Sequence, residues 1–345
     1  MKTYSAKPLE HWLSRAFAGL GMPPDDAALG ASTLVRTSAR GVDTHGISRV
    51  LVYAQKLKSG ELNPKPNLRF EDKAGVVHCH ADSGLGQAAA TRAIAEACRR
   101  AESQAMVTLI LHDVGHLAAI GMFALQAAER GMLAFVSQST PPLMALPGSK
   151  GAAIGNNPLA FATPVPDGPP MVFDMAASGV ARGNVLAAAR EKRAIPLGWA
   201  IDKEGNETTD AQAALAGAML PMAGHKGIGL AMMVQCLAGS LSGALPASVT
   251  AGAAPGSAPA RVGAFVFVIN PALVAGAEAY AEHLRGWLAA YRQASGAQAR
   301  YPGERAAQTE AKRLRDGIPL PPAVVSELQQ VGEMAGVPFD VEGQG

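Results

Sequence analysis

The chain has 345 residues, 48% hydrophobic and 17% charged, with a formal net charge of +2. That is enough for a sizeable core and one to three domains. Charges of both signs are dispersed, with no Lys/Arg block to track phosphates, which argues against nucleic acid or a membrane surface as partner.

No run of 18 uncharged apolar residues offers a membrane span, and the N-terminal Met-Lys-Thr-Tyr-Ser-Ala-Lys-Pro lacks the apolar region of a secretion signal. Cys79, Cys98 and Cys236 are odd in number and widely spaced. They read as free thiols of a reducing compartment, the cytoplasm, rather than as a disulfide frame or zinc site.

Helices are expected over 8–20 and 25–38, the second started by Asp25-Asp26 after two prolines. Asp43-Thr44-His45-Gly46-Ile47-Ser48-Arg49 opens a third helical segment that stops near Gly60. Ile47, Val50, Leu51, Ala54 and Leu57 recur at helical spacing as its buried stripe. His45 and Arg49, four apart, then sit one above the other on a different face. An imidazole beside a fixed guanidinium suits a substrate with a carboxylate next to a proton-accepting group. In isolation, the same H-x-x-x-R spacing equally describes a solvated helix face.

A strand over 76–80 puts His78 and His80 on one face. No nearby third ligand accompanies them, so they read as structural rather than as a metal site. Asp82-Ser83-Gly84-Leu85-Gly86-Gln87 is a glycine-rich turn leading into an alanine-rich helix to about 103. It is not G-x-G-x-x-G and lacks a βαβ frame, so it is no dinucleotide fingerprint. A strand over 107–111 ends in His112-Asp113-Val114-Gly115-His116, followed by a helix over 117–129 and a strand over 132–137. That frame suits a binding site at strand ends.

Residues 141–170 read as turns, including a tight one at Gly155-Asn156-Asn157-Pro158. Val172-Phe173 feeds Asp174-Met175-Ala176, residues 187–192 belong to a helix, and 199–206 form a hairpin arm. In Gly224-His225-Lys226-Gly227 a His-Lys pair precedes a helix over 228–241 that reads as buried core. Backbone amides at that helix start, with the lysine, are a candidate phosphate seat, and a plain helix N-terminus is the equal alternative. The small residues of 243–261 suggest a surface loop or lid. A strand over 263–269, a helix over 277–294, a turn at 301–305, a charged helix to 315 and a last helix over 324–334 complete the chain. The last helix is expected to pack on the first two as a split helical domain.

With these segments placed, the chain resembles the malate/L-lactate dehydrogenase-like oxidoreductases, which are unrelated to the Rossmann lactate dehydrogenases. The matching stretches run in order along nearly the full length. They are Arg40-Gly41-Val42-Asp43-Thr44-His45-Gly46 with Arg49, Asp82-Ser83-Gly84 with Gln87, His116, Gly155-Asn156-Asn157-Pro158, Asp174-Met175-Ala176-Ala177-Ser178, Ile195-Pro196 with Gly198-Trp199-Ala200, Gly224-His225-Lys226-Gly227, and Pro302-Gly303-Glu304-Arg305. The resemblance implies an α/β fold with an atypical, largely antiparallel nucleotide-binding sheet and a helical domain built from both chain ends. It implies a homodimer with no metal, and domain limits of 1–75, 76–270 and 271–345.

Three local features resemble the branch that reduces the cyclic imino acids Δ1-pyrroline-2-carboxylate and Δ1-piperideine-2-carboxylate. They are His116-Leu117-Ala118-Ala119, Gly224-His225-Lys226-Gly227 and Gly183-Asn184-Val185. Ile195-Pro196-Leu197-Gly198-Trp199-Ala200 is instead in the style of the 2-hydroxy acid dehydrogenases acting on malate, lactate or sulfolactate. Thr44 stands where the imino-acid branch has a serine.

The family pattern implies Arg49 as the clamp on the substrate carboxylate and His45 as the proton-handling group, with Thr44 and Asp174 in its relay. Asp43 is the local rival to Asp174, and His116 is the competing acid/base candidate beside substrate and cofactor. Leu117, Asn157, Asp174, Met175, Ala176, His225, Lys226, Gly303, Glu304 and Arg305 would join His116 along the dinucleotide. Arg305 or Lys226 would meet a 2′-phosphate, favouring NADPH over the alternative, NADH. A homologue that binds the dinucleotide but has lost activity is the contrasting class, and loss of His45, Arg49 or Asp174 would mark it.

Overall fold

The computed structural model describes residues 1–149, 151–244, 262–296 and 298–344. After a short strand, β1 (Thr3–Tyr4), come helices α1 (Ala6–Gly19) and α2 (Pro24–Ala39), near their expected bounds. Asp25 and Asp26 lie in the first turn of α2, where they face the positive end of its dipole. Helix α3 (Val50–Ser59) ends where Gly60 turns left-handed at φ 77°.

The two chain ends form one helical layer. Tyr4, Trp12, Phe17, Leu34 and Tyr53 share a hydrophobic cluster with Ile318, Leu328 and Val331. The indole N–H of the fully buried Trp12 lies 2.9 Å from the Pro338 carbonyl, to which it donates. Thr3 pairs with Pro319 and bridges to Gln344. Replacing Trp12 by Ala would cost about 3–5 kcal/mol, combining lost burial with the cavity left behind.

The middle of the chain supplies strands β2 (Arg69–Lys73), β3 (Val76–His80), β4 (Met106–His112) and β5 (Leu133–Gln138), with helices α4 (Gly86–Ala101) and α5 (Gly121–Ala128) between them. Strands β6 (Pro142–Met144), β7 (Ile154–Gly155), β8 (Leu159–Thr163) and β9 (Met171–Met175) follow. Next come α6 (Arg182–Arg190), β10 (Ala200–Ile201), α7 (Ala211–Ala216), β11 (Ala218–Met219), α8 (His225–Val234) and β12 (Ala264–Ile269). Seven strands make the main sheet in the order β2-β3-β4-β12-β5-β8-β9. Within it β3 and β4 run parallel and the remaining pairs antiparallel.

Alternation sorts the two faces. Ala134, Val136, Val266 and Val268 point toward the alanines of α4 and toward Phe123 of α5. Phe135 and Phe265 point the other way, onto Val234 and Ala238.

Several expectations need correction. The stretch 141–170 is not only turns, since it contains β8. Leu159-Ala160-Phe161-Ala162-Thr163 is largely buried on both faces between two prolines, so it shows no alternation in sequence. The helix expected from 117 starts at Gly121, because Ala118 sits at φ 66° and the Leu117 N–H donates to Gln138 Oε1. The segment over 228–241 is not buried throughout. It is α8 continued by a π-helical stretch, Gln235–Ser240, and it leaves Met232, Met233 and Leu241 exposed.

The expected loop or lid over 243–261 lies outside the described residues from 245 onward. Among the described residues no helix is long and apolar enough to cross a membrane. His78 Nδ1 lies 2.8 Å from His112 Nε2, so this strand histidine is engaged with another ring.

Candidate active site

The stretch from Asp43 to Arg49 is not one regular α-helix. Two 3-10 turns, Asp43–His45 and Ile47–Arg49, are separated by Gly46 at ψ −128°, and α3 begins only at Val50. A Cβ on Gly46 would collide with the Ser38 hydroxyl and stand 2.8 Å from the Ser38 nitrogen. Glycine therefore lets the segment press against α2, where Ser38 Oγ accepts the Ile47 N–H at 2.9 Å. Of the expected stripe, Ile47, Val50, Ala54 and Leu57 are buried and Leu51 is half-buried, and Tyr53 joins them.

His45, Arg49 and His116 come together, as expected for a shared site. The His45 and His116 ring centroids are 6.1 Å apart. Burial lowers the pKa of His45, and the Arg49 charge lowers it further. His116 is pushed down to about 3, first by burial and then by Arg49, His45 and Lys56. Both rings are thus neutral near pH 7. Arg49 Nε is buried and has no hydrogen-bond partner among the described residues. A buried cationic donor left unpaired is costly, and an incoming carboxylate would satisfy it.

Tyr53 and Gln87 complete the cluster. The Tyr53 hydroxyl lies 2.9 Å from His116 Nδ1, and Gln87 Nε2 lies 3.3 Å from that hydroxyl and 3.0 Å from the His116 carbonyl. The role of Tyr53 went unread in the sequence, although it stands four residues after Arg49. Together with His116, Lys56, Gln138 and Thr140 it lines a cavity of about 190 Å³.

The relay around His45 differs from the expected one. Its Nδ1 lies 2.8 Å from Thr44 Oγ1. Asp174 Oδ2 instead accepts the Gly121 N–H at 2.8 Å, so this carboxylate holds the start of α5. Asp43, the local rival, is paired with Arg313. Asp174 faces a solvent-reached crevice, and the protein packed around its carboxyl raises the pKa to about 6.

That crevice is a cavity of about 660 Å³, lined by Asp174, Gly303 and Arg305 together with Arg40, Arg300 and Tyr301. Gly303 has φ 103°, and a Cβ there would stand 2.8 Å from Pro170 O and Val172 N. The turn at 302–305 can therefore lie flat against β9, where Val172 N–H donates to Pro302 O. Guanidinium groups around one cavity, beside a turn without a side chain, fit a phosphate-bearing dinucleotide.

The remaining expected cofactor residues divide. Met175 ends β9 and Ala176 follows it, and His225 and Lys226 are exposed at the start of α8. That start packs on the segment after β9, since Met222 N–H donates to Ala177 O and a Cβ on Gly227 would lie 2.8 Å from Ala177 O.

Three side chains of the expected set are engaged within the fold. Asn157 is fully buried, with its amide donating to Ala231 O and accepting from Thr140 N, so it anchors a turn. Leu117 lies in the core under the sheet. The Glu304 carboxylate is taken by the Tyr301 N–H and Arg292.

Comparison with known proteins identifies the family. The family model described as malate/L-lactate dehydrogenase matches residues 4–329. A Δ1-pyrroline-2-carboxylate/Δ1-piperideine-2-carboxylate reductase of Pseudomonas aeruginosa is 35% identical, over 86% of this chain and 90% of its own. A malate dehydrogenase of Pyrococcus horikoshii is 31% identical, over 94% and 93%. The crystal structure of a Δ1-piperideine-2-carboxylate reductase from Pseudomonas syringae superposes with a TM-score of 0.85 at 31% identity, covering 96% of this chain and all of the other. The chain belongs to the malate/L-lactate dehydrogenase family and is a nicotinamide dinucleotide-dependent oxidoreductase.

Proposed function

We propose that the enzyme reduces cyclic 2-imino acids, Δ1-pyrroline-2-carboxylate and Δ1-piperideine-2-carboxylate, to L-proline and L-pipecolate. The observation that carries this reading is a buried Arg49 Nε with no hydrogen-bond partner among the described residues, beside two histidines held neutral. Arg49 takes the substrate carboxylate and fixes C2 for attack. A cyclic imine arrives with its nitrogen already protonated, so a neutral His45 serves by accepting and orienting that N–H. Reduction of a 2-oxo acid instead needs a proton for the new alkoxide, which a neutral imidazole supplies poorly. Thr44 orients His45, and the bound dinucleotide supplies the hydride.

NADPH is the proposed cofactor, with NADH the alternative. Arg40, Arg300 and Arg305 line the larger cavity, and Arg305 suits a 2′-phosphate. We further take the enzyme to be a cytoplasmic homodimer, with domain limits near 75 and 270.

A second reading, oxidation of a 2-hydroxy acid, draws on the Ile195-Pro196-Leu197-Gly198-Trp199-Ala200 stretch. In that direction a neutral His45 is already the base that the hydroxyl proton needs. Incubation with NADPH and Δ1-piperideine-2-carboxylate, followed by chiral chromatography, tests the proposal. L-pipecolate formed in step with NADPH loss supports it, and no NADPH consumption refutes it.

A further inference from the structure

The chain Gln87–Tyr53–His116 has only one direction in which its protons can run. The His116 carbonyl can only accept, so the Gln87 amide must present Nε2 to it at 3.0 Å. Reversing the amide would set two carbonyl oxygens against each other. The same NH2 group reaches the Tyr53 hydroxyl at 3.3 Å, so the phenol oxygen accepts there. The one proton of the phenol is then left for His116 Nδ1, 2.9 Å away. Nδ1 is an acceptor in consequence, and a neutral ring must carry its hydrogen on Nε2. Nε2 itself has no hydrogen-bond partner among the described residues.

The geometry points to Gln87 and Tyr53 as positioning residues that lock His116 in its Nε2–H tautomer, so that His116 serves the site as a neutral hydrogen-bond donor. The assignment rests on the placement of the active site at this cluster, but on no particular substrate. The surroundings agree with a ring that stays unprotonated. The charged and titratable groups acting on it are His45 and Arg49 of the two turns before α3 and Lys56 of α3, all opposing a second proton. Glu61 and Asp113 line the same cavity, and Lys56 is paired with Glu61. His116 is thereby a fixed donor for a carbonyl, carboxylate or carboxamide oxygen, while proton exchange falls to other groups.

Long-range 1H–15N correlation on the full-length enzyme with 15N-labelled histidine tests this without substrate, with His116 assigned by comparison with His116→Asn. The expected spectrum shows Nε2 protonated and Nδ1 bare, unchanged between about pH 5 and pH 8. In Tyr53→Phe the lock is lost, so both tautomers appear, while the ring stays neutral in that range because burial and the Arg49 charge still act on it. A folded Tyr53→Phe should also lose about tenfold in kcat/KM, with NADPH affinity retained. Should Tyr53→Phe fail to fold, Gln87→Leu provides the same comparison. A wild-type His116 protonated on Nδ1, or titrating near the ordinary histidine value, overturns the assignment. So does a folded Tyr53→Phe with the wild-type spectrum. None of these results depends on whether a cyclic imine is turned over.

Discussion

Thr44 Oγ1 lies 2.8 Å from Nδ1 of His45, and the threonine methyl faces α6, where a Cβ on Gly183 would stand 3.7 Å from Thr44 Cγ2. The hydroxyl, rather than a carboxylate, therefore sets the orientation of the ring. Thr44→Val keeps the shape but removes the hydrogen bond, and is expected to lower kcat/KM about tenfold, or about 1.4 kcal/mol. Thr44→Ser keeps the hydroxyl and should stay within about twofold of wild type. Steady-state kinetics of the pair checks this, and equal losses in both would assign the effect to packing.

Arg49 is predicted to act through its planar fork. Arg49→Lys keeps the charge and loses bidentate geometry, so kcat/KM for the carboxylate substrate should fall about a hundredfold. Binding of NADPH, followed by its fluorescence, should change little. A parallel loss of NADPH affinity would place Arg49 at the cofactor instead.

The same guanidinium depresses the pKa of His45, after burial as the larger cause. Removing its charge in Arg49→Met should therefore raise the His45 pKa toward the ordinary value. Histidine chemical shifts followed against pH report it directly. An unchanged or lower pKa would contradict the electrostatic coupling.

His116 links the site to acid stability. Its folded pKa of about 3 lies below the unfolded value, near 6.5, so in this interval the unfolded chain binds the extra proton. Stability from this group is complete above the unfolded pKa and is lost as pH falls toward the folded one. Asp174, raised to about 6, has the opposite sign, and its contribution is lost as pH rises through that value. His116→Asn should accordingly lose less stability than wild type between about pH 7 and pH 4. Urea unfolding at both pH values measures the difference.

Gly303 and Arg305 are predicted to separate cofactor binding from catalysis. Gly303→Ala puts a Cβ at φ 103° and 2.8 Å from Pro170 O, which should displace the turn and cost about 1–3 kcal/mol. Arg305→Gln should weaken NADPH at least fivefold while leaving NADH nearly unchanged, if the arginine meets a 2′-phosphate. Titrations with both dinucleotides decide it, and equal effects on the two would remove Arg305 from that role.

Local signals in the sequence located much of this architecture. The stops and stripes of α1, α2 and α3, and the apolar runs of β3, β4, β5 and β12, depend on neighbours within a few residues. What escaped depends on distant partners. β8 is buried on both faces and carries no periodicity, and the α5 start is set by Gln138 and Asp174 from other strands. In the site, the proximity of His45 to Arg49 could be read from spacing, although Gly46 replaces the expected helix by two tight turns. Tyr53 escaped because it is packed as core, being 1% exposed, and its hydroxyl reaches His116 only through the fold. Asn157 and Glu304 carry the right chemistry for a cofactor, but the fold uses that chemistry to hold turns. Assigning Asp174 to His45 relied on the family pattern, and the carboxylate here bonds the Gly121 backbone.

A cyclic imine brings its own proton to a site of neutral histidines, whereas a 2-oxo acid does not. The most direct test compares kcat/KM with NADPH for Δ1-pyrroline-2-carboxylate and Δ1-piperideine-2-carboxylate against pyruvate and oxaloacetate, using one enzyme preparation at neutral pH. The account predicts that a cyclic imine is preferred at least a hundredfold, about 2.7 kcal/mol of transition-state discrimination. A higher kcat/KM for either 2-oxo acid would contradict it.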